Sequence, residues 1–421
     1  MAMLLVFLLT ACGKETSPGK TDIAQTTIKV FTNLPDRNNG QGLVEQKIFN
    51  QYTLDNPNVK IEVEALDDEA YKTKMKAYAS GTNLPDLISI WGQPSFLDGY
   101  IDAGLIAELK PADYSGYGFV EGALSGFSKD GKLYGLPRNT DMMVFYYNEA
   151  MFNANGWSIP ATYDELLALA GTIKAAGHIP VAMDGGDKWP ICIFITDLLA
   201  KICGSSYHAI ALDAIEKSDF SNPAFQQAAQ KLQQAYDAGL FQQGFESQDY
   251  GTAQNLFING EAAMFYMGSW EMSMANNQDI KPEIRDNIRA FTMPVVSGGS
   301  GIATDNTAWN GGGHAVVAKS SVKEEAIKLL NYMYKPENWT KIAWENNVCM
   351  SAQDFSSYKT GTETPVQIQI IDLFSGSSSI SGTTINDLGT ADFKTICEDL
   401  SQQVAIKAIT PEQFAAQLGG K

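Results

Sequence analysis

Ile28-Lys29-Val30-Phe31-Thr32 is followed by a polar stretch, Asn33–Gly42, and then by Val44, Ile48, Phe49 and Tyr52 at helical spacing before Asn56-Pro57. The first segment alternates as a strand does. The spacing of the second predicts a helix that the Asn-Pro pair stops. Ile61-Glu62-Val63-Glu64-Ala65 alternates again. Strand, helix, strand is the unit of a parallel α/β sheet, in which ligands gather in the crevice at the C-terminal ends of strands. Asn33–Asn39 occupies such an end.

The pattern continues outward from there. A helix is expected over 69–80, a buried strand at Leu87-Ile88-Ser89-Ile90-Trp91, a helix from about Ser95 to Ala103, and an apolar strand at Met142–Asn148. Thr162 with Glu165 reads as a capping box for a helix ending near Gly177, and Ser321 with Glu324 as another ahead of Ala326–Tyr334. Phe225, Ala228, Ala229, Leu232, Ala235 and Tyr236 mark an amphipathic helix closed by Gly239. The chain therefore reads as α/β with two lobes.

At 421 residues the chain is long enough for two or three domains. Asp and Glu number 48 against 30 Lys and Arg, a net charge of -18. Without a basic cluster, this balance excludes a surface built to track nucleic-acid phosphates. The apolar run Met1–Ala11 is shorter than the roughly 20 residues needed to span a bilayer. It leads into Leu9-Thr10-Ala11-Cys12-Gly13, which resembles a bacterial lipoprotein box, although no Lys or Arg precedes the run. That resemblance implies a signal peptide over 1–11, acylation of Cys12 and a lipidated flexible tether over 12–26; the Lys, Thr, Ser, Pro and Gly of this stretch suit a tether.

Few catalytic signatures are present. Gly19-Lys20-Thr21 lacks the glycine a phosphate loop needs five positions earlier, where Lys14 stands. His178, His208 and His314 are not spaced as metal ligands, so no metal and no cofactor is expected. No Gly-x-Ser-x-Gly or Cys-x-x-Cys motif occurs. Cys192, Cys203, Cys349 and Cys397 are too scattered for a disulfide scaffold, which leaves room for one disulfide if the protein is exported.

Several segments together resemble the solute-binding proteins of bacterial ABC sugar importers, a family of sugar-binding lipoproteins. They include Leu84-Pro85-Asp86-Leu87 leading to Ile90-Trp91, Gly99–Ile106, Gly131–Pro137, Tyr146-Tyr147-Asn148, Asn259–Met264, Gly268-Ser269-Trp270-Glu271 and Gly311–Val317, in the family's order. The resemblance implies a two-lobed periplasmic-binding-protein fold of type II, maltodextrin-binding-like, with a hinge and an interlobe cleft. Lobe one would hold 27–138 and 313–348, and lobe two 139–312 and 349–421. It further implies a monomer outside the cytoplasm, held to the membrane only by lipid, that binds a mono- or oligosaccharide and hands it to permease subunits by lobe closure. An exported glycoside hydrolase and a sugar-sensing lobe for a membrane kinase are the competing readings.

Sugars present paired hydroxyls and flat C–H faces, so aromatic rings beside planar polar groups are the expected lining. Trp91 with Gln93, Trp270 with Glu271, and Trp309 with Asn310 stand at strand ends; Lys188 and Trp189 sit on a loop that opens a helix. Asp36 and Arg37 occupy the loop after the first strand. Arg138 and Asp141 flank the expected hinge, where an ion pair between the lobes is the alternative role. The histidines are expected to be structural.

Overall fold

The computed structural model describes residues 25–81, 83–377, 379–380 and 383–420. The apolar run, Cys12 and nearly all of the tether lie outside these residues. In chain order the elements that position the site are β1 (Thr26–Thr32), α1 (Gly40–Asp55), β2 (Val59–Ala65), α2 (Asp68–Gly81), β3 (Leu87–Trp91), α3 (Pro94–Asp102), β4 (Leu136–Pro137) and β5 (Thr140–Asn148). After these come α4 (Tyr163–Ala175), β6 (Ile179–Ala182), α5 (Trp189–Cys203), α6 (Pro223–Ala238), α7 (Tyr250–Ile258), β7 (Ala262–Gly268), β8 (Ile288–Phe291), β9 (Ala308–Asn310), β10 (Gly312–Val316), α8 (Lys323–Met333) and α9 (Ala391–Ala405).

Two sheets form. The first runs β2-β1-β3-β10-β4, with β1 parallel to β2 and β3, and β10 antiparallel to its neighbours. The apolar residues quoted first account for it: Ile28, Val30 and Phe31 of β1 and Val44, Ile48, Phe49 and Tyr52 of α1 pack in one core, while Lys29 stays exposed. Central β3 is flanked on both sides and is therefore apolar almost throughout. The second sheet runs β8-β5-β7-β6, and β9 also pairs with β5. Its core holds α5, whose side chains are buried nearly all round. The helical stretch Trp189–Lys217 is apolar enough to cross a bilayer by composition, yet 89% of its most apolar window is buried inside the protein.

Helix starts divide on local competition. Thr162 and Glu165 form the expected reciprocal capping box of α4. The box expected from Ser321 and Glu324 does not form: α8 starts at Lys323 without a side-chain cap. Ser320 is used instead, its hydroxyl accepting from the Val322 amide at 3.1 Å and donating to Asp86 at 2.6 Å, which ties the approach to α8 to the first sheet.

The chain passes between the two sheets at three places that lie side by side. β4 belongs to the first sheet and β5 to the second; β9 pairs in the second and β10 in the first; Cys349 packs in the first core and Met350 in the second. The three segments are laced by backbone hydrogen bonds, Arg138 N–H to Gly312 O at 2.9 Å, Gly311 N–H to Asn139 O at 2.8 Å and Thr140 N–H to Met350 O at 2.9 Å. Gly311, Gly312 and Gly313 are required by close approach: a Cβ would stand 1.9 Å from Asp141 Oδ2, 2.3 Å from Arg138 Nη2 and 2.1 Å from Leu136 O, respectively.

Candidate functional site

Between the two sheets lies a cavity of about 620 Å³ lined from both sides. The first sheet's side contributes the loop after β1 (Asn33, Asp36, Asn39, Gln41), the start of α2 (Asp68, Lys72), and Trp91 and Gln93 after β3. The second contributes Trp189 at the start of α5, Tyr250 and Gln254 on α7, Trp270 and Glu271 after β7, Trp309 on β9 and Lys394 on α9. Arg138, Asp141, Gly311 and Gly312 of the crossings close the back. The cavity thus sits where strands β1, β3, β6 and β7 end, as a crevice in an open α/β sheet should. Around its edge the two sides touch: Ser95 donates to Asp387 at 2.8 Å, and the Asn276 side chain donates to Asn346 O at 2.9 Å.

The aromatic wall is built as a unit. The Trp270 ring lies so close over Gly268 that a Cβ there would meet it at 2.1 Å, so glycine is what lets the indole fold back beside its own strand. Its Nε1–H donates to the Tyr250 hydroxyl at 2.7 Å, and its ring centre lies 6.0 Å from Trp189 and 6.4 Å from Trp309. Tyr250 in turn donates to Glu271, whose other oxygen accepts from Gln254 at 2.6 Å. Burial pushes the Glu271 carboxyl up, against the pull of those two donors. On the opposite side Trp91 packs edge-on against Phe96 at 4.9 Å, with the Lys72 ammonium 5.5 Å over its ring.

Arg138 and Asp141 do not pair with each other, the alternative expected for them. The Arg138 guanidinium donates to Asn33 Oδ1 at 3.1 Å and Ser89 Oγ at 3.4 Å, while Asp141 accepts from Asn139 at 2.5 Å and Ser269 at 3.2 Å. Burial pushes the Asp141 carboxyl up to about 7, outweighing these hydrogen bonds and the Arg138 charge. Behind Arg138, Ser89 donates to Thr32 and Thr32 to Glu45, which also takes Arg37 and His314. Burial alone would raise the Glu45 carboxyl, but His314, Arg37 and Arg138 together hold it down at about 2. His314, fully buried between Glu45 at 2.7 Å and Tyr334 at 2.8 Å, is structural, as expected.

Of the twelve residues singled out from sequence, Asp36, Trp91, Gln93, Arg138, Asp141, Trp189, Trp270, Glu271 and Trp309 line the cavity, and Arg37, Lys188 and Asn310 do not. Arg37 turns back to Glu45 at 2.6 Å and Gln46 at 3.1 Å. Lys188 pairs with Asp399 at 2.6 Å on the surface, and Asn310 donates to Gly122 O at 3.3 Å. Asn33, Lys72, Tyr250, Gln254 and Lys394 line the cavity without having been singled out. Tyr250 and Gln254 stand four residues apart, hence on one helix face, the one local signal that marks them.

Two properties of the lining bear on what it accepts. Nine carboxylates (Asp36, Asp67, Asp68, Glu69, Asp141, Asp187, Asp249, Glu271, Asp387) face three cations (Lys72, Arg138, Lys394). Lys72 and Lys394 are already engaged, by Glu69 at 2.6 Å, and by Asp387 at 2.8 Å and Glu398 at 2.7 Å. An anionic solute would meet a repulsive field. Secondly, among the described residues, five buried polar atoms with no hydrogen-bond partner belong to lining residues: the donors Arg138 Nε and Trp189 Nε1 and the acceptors Gln41 Oε1, Asn139 Oδ1 and Asn386 Oδ1.

The comparisons with known proteins agree in kind. The chain is 25% identical over 333 residues, 77% of its own length and 75% of the relative's, to the multiple sugar-binding protein of Streptococcus mutans. A solved chain from work on xylan utilization by Caldanaerobius polysaccharolyticus superposes with a TM-score of 0.86 at 26% identity, covering 94% of this chain and 99% of the other. A chitin oligosaccharide binding protein superposes at 0.81 with 21% identity, covering 94% and 98%. Residues 47–345, well over half of the sequence and spanning both sheets, match the description of one family, and the chain belongs to the bacterial extracellular solute-binding proteins.

Proposed function

We propose that the chain captures a neutral carbohydrate, a mono- or oligosaccharide, in the cavity between its lobes and delivers it to the permease of an ABC importer. The observation that carries this reading is the coexistence of tryptophan faces with unpartnered buried donors and acceptors around one cavity. A hydroxyl both donates and accepts, so a polyol can satisfy both kinds of atom at once. A purely apolar ligand would leave them unpaired, at about 1–3 kcal/mol each. The acidic excess favours a neutral sugar over sugar phosphates and uronates. Glu271 is held by Tyr250 and Gln254, and Asp141 by Asn139 and Ser269. The family and its named relatives are binding proteins, which favours binding without turnover.

We read the lobes as 27–138 with 313–348 on one side and 139–312 with 349–421 on the other, hinged where the three segments are laced together; the crossings support these bounds to within one residue, since Gly312 pairs in the first sheet and Cys349 packs in the first core. Ligand contacts to both walls, available only when the lobes meet, supply the differential affinity that shifts the population toward closure. Acylation at Cys12 would tether a monomer to the membrane surface, where the permease lies. A thermal-shift screen against neutral and acidic glycans tests the reading. A neutral glycan should raise the melting temperature, remain chemically intact on long incubation, and reduce the radius of gyration in small-angle scattering; stabilisation by uronates or phosphates alone would refute it.

A further inference from the structure

Cys192 on α5 and Cys397 on α9 are fully buried, 205 positions apart in sequence, and their sulfurs lie 3.2 Å apart. Among the described residues Cys203 and Cys349 have no such neighbour: Cys203 ends α5 and Cys349 packs in the other core. The two helices carry cavity residues one turn before each cysteine, Trp189 before Cys192 and Lys394 before Cys397. Local hydrogen bonds already fix both backbones, Thr196 donating to Cys192 O at 3.1 Å and Ser401 to Cys397 O at 2.7 Å.

We infer that Cys192 and Cys397 form a disulfide in the exported protein, pinning α9 to α5 directly behind the Trp189–Lys394 wall of the cavity. A disulfide needs its sulfurs about 2.05 Å apart, so they must close by roughly 1.1 Å, within reach of small side-chain rotations of two helices already packed together. The setting fits: the family is extracellular, where disulfides persist. The oxidant is a disulfide-bonded thiol oxidoreductase or oxidised glutathione. The thiolate of one cysteine attacks its S–S bond and forms a mixed disulfide; the thiolate of the other then displaces the reduced oxidant, which leaves with both electrons and both protons as its dithiol or as two glutathione thiols. The contact with Cys192 and burial hold the Cys397 thiol up. Both cysteines are fully buried once α9 has seated, out of reach of an oxidant, so the exchange belongs to the stage of folding before α9 docks.

The test is a thiol map of the full chain, exported through its own signal and purified without reductant, then alkylated with iodoacetamide in guanidinium and digested. The peptides holding Cys192 and Cys397 should be recovered joined, 2 Da lighter than their sum, and should take up label only after reduction. Dithiothreitol should lower the melting temperature by several degrees in the parent, with little effect in a Cys192→Ala variant. Label on both cysteines without reduction, or linkage of either to Cys203 or Cys349, overturns the inference.

Discussion

Replacing Trp270 by alanine separates a ligand-stacking indole from a packing one. Trp270 is partly exposed to the cavity, covers Gly268 with one face, and holds Tyr250 through its Nε1–H at 2.7 Å. A single indole face laid on a sugar removes roughly 80 Å² from water, a third to a half of the 150–250 Å² an aromatic side chain buries. At about 25 cal/mol per Å² that is about 2 kcal/mol, or close to thirty-fold in affinity. Loss of the Tyr250 hydrogen bond adds to it, because Tyr250 then no longer fixes Glu271. Trp339 is the counterpart: it is fully buried and donates to Arg138 O at 2.8 Å. Trp339→Ala should cost about 3–5 kcal/mol of stability. Calorimetric titration with the strongest glycan from the screen, beside ligand-free urea melts, reads both. Trp270→Ala should weaken binding about thirty-fold or more and cost less stability than Trp339→Ala. Unchanged affinity together with a loss of 3–5 kcal/mol in stability would refute the stacking role.

Lys188→Ala removes a half-exposed ion pair with Asp399, worth under about 1 kcal/mol; glycan affinity should change less than twofold by titration, although Trp189 beside it lines the cavity. Gly312→Ala places a Cβ 2.3 Å from the Arg138 guanidinium. Arg138 must swing away from Asn33 and Ser89, so affinity should fall at least tenfold while overpacking costs about 1–3 kcal/mol in a denaturant melt. Asp141 is held at about 7 by burial, above the ordinary 3.8, so the native state binds the extra proton between those values and stability declines as pH rises from 4 through 7. Urea melts across that range should show the decline flattened in Asp141→Asn, by up to about 3–4 kcal/mol for some three pH units at 1.4 kcal/mol each; parallel curves for the two proteins would contradict it.

How much of this was legible in the sequence depends on whether a residue's surroundings are set by its neighbours in the chain. Strands β1, β2 and β3, helix α1 and the Thr162 cap follow from alternation, spacing and reciprocal hydrogen bonds within a few residues, and each stands where the local pattern puts it. Strand ends located from sequence also locate tryptophans, which is why Trp91, Trp270 and Trp309 reach the cavity. The three site residues that do not reach it are each the immediate chain neighbour of one that does: Arg37 of Asp36, Lys188 of Trp189, Asn310 of Trp309. Neighbouring side chains along extended backbone point apart; Arg37 turns back to Glu45 and Gln46, eight and nine positions on, while for the other two the choice is settled by partners far away in the chain. Lys188 is drawn out by Asp399, 211 positions on, and Asn310 by Gly122, 188 positions back. Lys394 and Asp387 illustrate the converse, since nothing near them marks a binding wall until α3 and α9 are brought together and Ser95 meets Asp387 across 292 positions. The elements of the cleft are thus written locally, but its inventory of polar groups is a property of how the two lobes meet, and a pattern that brings both lobes' residues to one cavity is also what a ligand must find in order to hold them closed.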